Sequence, residues 1–177
     1  MMRLQAQLSS DMYADPAYTH AQKLYFLASQ SEAYMGDAEN AFKNLIRKYG
    51  ARPPLQMYLS GITALKARYA INPFAKRDYF FQAESQMDAI VKQNPSDPEV
   101  RFIRGSFYYY LPFFFGKRQD ARDDLYTLTD LLLKNSELYQ CRYSSEALRA
   151  IIGFLQQTGW IAERDMVRLR RLYASLW

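Results

Sequence analysis

The sequence predicts an all-α protein made of antiparallel helix pairs, with about eight helices in all. Three observations predict it. Asp, Asn and Ser repeatedly stand just before a proline or at the head of an apolar stretch, where helix N-caps belong. Between these marks, apolar residues step by three and four, the spacing of one helix face. No stretch alternates with period two, no Asn-Gly or Asp-Gly occurs, and seven Gly and seven Pro are too few for a chain of many tight turns.

The elements follow in order. Asp15-Pro16 supplies a cap and a first-turn proline for a helix over 16–33. A second helix over 37–49 stops at Gly50, after Arg47 and Lys48, whose charges suit a C-terminus. Pro53-Pro54 restarts the chain for 54–71, and Asn72-Pro73 caps the next helix over 74–93. There Phe80, Ala83, Met87 and Ile90 line one face, and Asn94-Pro95 closes it. Ser96-Asp97-Pro98-Glu99 reads as a capping box for 97–111, with Ser96 reaching the amide of Glu99. Gly116 precedes a helix over 118–134, faced by Ala121, Leu125, Leu128 and Leu132. Ser144 and Gly159 bound 144–157, with Leu148, Ile151 and Leu155, and a last helix covers 162–175. One domain is expected to span 1–177, with residues 1–14 flexible and 136–177 forming capping helices.

The pairs repeat. Counting from Gln22 in a unit of about 34 residues, Tyr25 falls at a large aromatic position, Ala28 and Ser29 at a small contact, Gly36 at the turn, Ala41 at the tight second-helix contact and Pro53 at the close. EAYMGDAENAFKNLIRKYGARP resembles the second half of a tetratricopeptide repeat, with Glu32 and Lys48 as departures. Later units start at Pro54 and Pro98, with Gly61 and Gly105 at the small position and insertions around ARYAINPFAK and LPFFFG. ALKARYAINPFAKRDYF and NPSDPEVRFIRGSFYYYLPFFFG are also similar to a group of uncharacterised bacterial tetratricopeptide-like proteins, which brings no activity with it. The resemblance implies stacked pairs forming a superhelix. Its concave face, lined by the first helix of each pair, would grip a protein or peptide partner.

Composition narrows the functions. An apolar fraction of 49% supports a core, and a net charge of +5 without a basic motif makes nucleic acid an improbable partner. Cys141 is the sole cysteine and His20 the sole histidine, so a disulfide, a Cys/His metal cluster and a histidine triad are excluded. His20 is expected at the surface and Cys141 in or near the core. The first residues show no apolar secretory segment, and a cytoplasmic location is expected. Asp120, Asp123, Asp124 and Asp130 alternate with Arg118 and Arg122 in the manner of a solvated face. No enzyme activity, cofactor or metal is expected.

Two sets of residues are candidates for binding. Tyr58, Arg101, Arg104 and Tyr108 are expected on the concave face; the two arginines, three apart, could hold a carboxylate, or could pair instead with Glu99 or an acid of the neighbouring helix. The second set is FYYYLPFFF at 107–115, seven aromatics in nine residues, in which Pro112 throws Phe113, Phe114 and Phe115 into a connection. The run either packs between repeats, together with Tyr69, Phe74, Tyr79 and Phe80, or offers Tyr108, Tyr109 or Tyr110 as rigid anchors for a partner, or puts Phe113, Phe114 and Phe115 against a hydrophobic ligand or into a membrane surface with Lys117 and Arg118 at the headgroups.

Overall fold

The computed structural model describes residues 12–177. Among them are nine α-helices and a helical stretch at 12–14, with no strand. The expected flexible segment lies, for residues 1–11, outside the described residues; residues 12–14 are helical and Met12 is buried. The chain forms two compact units, 1–95 and 96–177.

The first unit holds α1 (Pro16–Gln30), α2 (Met35–Tyr49), α3 (Pro53–Tyr69) and α4 (Pro73–Gln93). The caps are those the sequence marks. The Asp15 carboxylate accepts from the amide of Ala17 at 2.8 Å, and the Asn72 side chain accepts from Phe74 and Ala75. Gly50 ends α2 at φ 80°, a left-handed value that glycine reaches without cost. α1 stops at Gln30, short of the expected 33, because the chain passes through extended Ser31 into a short 3₁₀ turn at Glu32–Tyr34.

α1 packs on α2 and α3 on α4, as consecutive antiparallel pairs, and α3 touches both α1 and α2. Gly61 serves a different contact from the one expected of it. A methyl group built there would sit 2.5 Å from the hydroxyl oxygen of Tyr25, so the missing side chain lets α3 close on α1. The far end of α3 is tied to α1 as well: Arg68 donates to the carbonyl of Ser29 at 2.8 Å, and the Tyr69 hydroxyl to that of Ala28 at 3.1 Å.

The second unit holds α5 (Pro98–Tyr109), α6 (Arg118–Lys134), α7 (Ser136–Arg142), α8 (Ser145–Thr158) and α9 (Glu163–Leu172). Asp97 caps α5, accepting from Glu99 at 3.0 Å and Val100 at 3.2 Å; Ser96 lies one residue too early, since Pro98 sits in the first turn. Gly105 does what the repeat pattern asks: an added methyl would lie 3.0 Å from Cβ of Asp124 and 3.1 Å from Leu125, so α5 and α6 meet at that point. α7 is an element the sequence reading did not contain. It follows α6 after a single residue, Asn135, with no proline or glycine to announce the break. α9 lies against α6, where the Tyr173 hydroxyl donates to the carbonyl of Leu132 at 3.1 Å, and the terminal turn Ala174–Leu176 lies against α8. On α9, Arg164, Arg168 and Arg171 are exposed, at near-helical spacing. No helix among the described residues is long and apolar enough to cross a membrane.

Candidate functional site

The sequence-nominated contacts are drawn inward. Tyr58, on α3, is buried at the centre of the first unit. Its ring stacks on Phe42 at 4.5 Å and meets Tyr25 edge-on at 5.1 Å, while its hydroxyl accepts a 3.0 Å hydrogen bond from the buried Gln22 amide. A large ring with one polar tip fits a core site that offers that tip a polar partner.

Arg101, Arg104 and Tyr108 stand three and four apart on α5, so they share a face, and that face looks at α6. Asp124 on α6 is fully buried between the two arginines. Arg101 donates to one carboxylate oxygen at 2.6 Å; Arg104 donates to both, at 2.7 and 2.9 Å, in a fork. Pairing with an acid on the neighbouring helix is thus realised, and Asp124 leaves the solvated face assigned to it. Tyr108 is buried below, with the Arg104 guanidinium 5.6 Å and the Lys117 ammonium 5.1 Å from its ring centre. This cluster joins α5 to α6.

The aromatic run divides at Pro112. Before it, Tyr109 packs on Phe154 at 5.4 Å and on Trp160 at 4.9 Å. After it, Phe113, Phe114 and Phe115 form a 3₁₀ turn and are exposed, as is Tyr110 before it, so, of the alternatives for the run, packing away holds for Tyr108 and in part for Phe107 and Tyr109. Gly116 ends the turn at φ 70°, and amides of Phe115 and Gly116 donate back to the carbonyls of Pro112 and Phe113. Arg118 and Arg122, one turn apart, both lie over the Trp160 ring, at 5.3 and 5.1 Å. Sequence reasoning missed Trp160; the helical spacing of the two arginines was its one available sign.

The first unit carries a cleft of about 420 Å³ that the sequence did not suggest. Glu32, Met35, Gly36 and Glu39 line it from the start of α2, Lys66 and Ala70 from the end of α3, and Tyr79 from α4. The Glu39 carboxylate is bridged by Lys43 at 2.7 Å and Lys66 at 2.6 Å, and these hydrogen bonds lower its pKa. Next to these elements Ile71, Phe74 and Phe81 are exposed, while Phe80 is buried. Phe74 and Phe81 are seven apart on α4 and lie on one face of it.

His20 is exposed as expected; Cys141 is exposed too, against expectation, because it falls on the outer side of α7 while Tyr139 and Tyr143 take the inner one. No group of three or more His, Cys, Asp or Glu able to hold a metal ion occurs among the described residues. The fold therefore defines an all-helical protein of consecutive antiparallel pairs, with an open cleft in one unit and an exposed aromatic turn in the other. No family model, curated protein or solved structure matches the chain.

Proposed function

We propose that the chain is a non-enzymatic helical-hairpin scaffold of the tetratricopeptide kind, which binds an apolar segment of a protein partner on its first unit. The observation that carries this reading is the exposure of three large apolar side chains close together in the chain, Ile71 after α3 and Phe74 and Phe81 on one face of α4. Large apolar side chains exposed together mark interaction sites more often than they mark ordinary surface. The tetratricopeptide reading is supported by α3 resting on both helices of the pair before it, by the buried Ala28 at the small contact of the first unit and by the buried Ala83 and Ala121 on the second helices of the later ones, whereas Ala41 is only half-buried.

A photocrosslinking amino acid placed at Phe74 or Phe81 in the native cell tests it, with the exposed Gln93 on the same helix as control. One discrete adduct, common to positions 74 and 81 and absent at 93, is expected. No adduct, or the same smear from all three positions, refutes the reading.

A further inference from the structure

We propose that the second unit attaches to an anionic membrane surface through the Phe113–Phe115 turn, with the rings among the lipid headgroups and Lys117 and Arg118 at the phosphates. The site is separate from the cleft of the first unit, and the two fail independently.

The rings are held outward by the chain and not by chance. Pro112 ends the α5 path, two backbone hydrogen bonds close the 3₁₀ turn, and Gly116 turns the chain into α6. The rings also brace each other, Phe113 against Phe114 at 5.9 Å and Phe114 against Phe115 at 4.8 Å. The turn is thus preorganised, and little ordering remains to be done on binding.

Two quantities decide the occupant. The first is area. A fully exposed aromatic side chain offers roughly 150–250 Å². With Phe113, Phe114, Phe115 and Tyr110 exposed at 84, 71, 38 and 66%, the four together offer about 400–650 Å². A stable protein interface takes about 800 Å² from each side. A bilayer asks for less, because a few inserted rings and a few cations add their effects. The second is charge. Lys117, Arg118 and Arg122 follow directly on the rings, against Asp120 and Asp123, and Asp124 is already held by Arg101 and Arg104. Lys117 is 3.8 Å from Asp120, while Arg118 is exposed over Trp160. Apolar rings followed by a local excess of cations match the order of layers at an anionic bilayer surface.

Vesicle co-sedimentation of the full chain is the test, using phosphatidylcholine vesicles with and without about 30% phosphatidylserine. The chain should sediment with the anionic vesicles, and about 0.5 M salt should weaken this. Phe113→Ser with Phe114→Ser should reduce binding about tenfold, with the far-ultraviolet spectrum and melting unchanged, since both rings are exposed. Phe74→Ser with Phe81→Ser should leave vesicle binding intact. A chain that stays in solution with every vesicle, or a tip variant that sediments as well as the parent, overturns the proposal. So does sedimentation velocity showing a dimer that the tip variant converts to monomer, which would make the turn a contact between copies.

Discussion

Asp124→Ala should be the most costly single polar substitution in the second unit. The carboxylate is wholly buried and accepts three hydrogen bonds of 2.6–2.9 Å from Arg101 and Arg104. Removing one partner of a buried ion pair costs about 3–5 kcal/mol, because charge is left behind in a poor solvent. Here the arginine side chains keep 14 and 12% exposure, so water reaches them in part and the lower end applies, about 3 kcal/mol. For a chain of this size that is a fall in Tm of roughly 6–12 °C. Urea melts followed by circular dichroism measure it. The quadruple variant Asp124→Leu, Arg101→Met, Arg104→Met, Glu99→Gln removes both signs of charge, the buried Glu99 included, and should return to within about 1–2 kcal/mol of the parent. A loss below about 1 kcal/mol for Asp124→Ala would refute the assignment of the cluster to holding α5 on α6. Charge reversal at Arg101 and Arg104 should then unfold the unit, by placing two carboxylates beside a third. Loss of partner binding in such a variant would report the fold and not a contact.

Tyr58→Phe should cost about 1–2 kcal/mol by taking away the acceptor of the Gln22 amide, and Tyr58→Ala about 3–5 kcal/mol by emptying the ring site; equal values for the two would deny the stacked core role. Gly105→Val should destabilise by about 1–3 kcal/mol, since the space is already closed by Asp124 and Leu125, whereas Gly36→Ala, with open space around it, should not. Ser96→Ala should be nearly silent and Asp97→Ala should cost about 1 kcal/mol in the same melts, because Asp97 is the side chain that caps α5. Asp15 is held at a pKa of about 2 by hydrogen bonds from Lys48, from the Ala17 amide and from Tyr49. A depressed carboxylate contributes stability above its unfolded pKa of about 3.9 and loses it as pH falls through about 2. Asp15→Asn should therefore flatten the acid limb of stability between about pH 4 and pH 2, and a limb of unchanged slope would count against this linkage.

What was legible in the sequence is what local chemistry decides. Asp15-Pro16, Asn72-Pro73 and Gly50 sit at real helix ends, since a cap or a left-handed glycine acts within four residues of itself. Phe80, Ala83, Met87 and Ile90 are buried, since one helix face serves all four. Partner choice was not legible, because it depends on which element lies opposite. Gly61 meets Tyr25 of α1, and its spacing in the repeat is equally compatible with a contact to α4. Arg101 and Arg104 are compatible in the sequence with an external carboxylate, with Glu99 or with an acid of the neighbouring helix, because the internal partner, Asp124, lies twenty residues beyond Arg104 among acids spaced for solvent. The break between α6 and α7 at Asn135 was hidden because no proline or glycine marks it. The aromatic run shows the same division within nine residues. Tyr108 and Phe113 have the same character in the sequence, yet one is buried beneath Arg104 and Lys117 and the other stands in solvent. Pro112 separates them: up to it helical spacing fixes which way a ring faces, and past it the turn does. A functional reading that treats the run as one patch is therefore asking the wrong rings to bind; Phe113 and Phe114 are available to a partner, and Tyr108 is not.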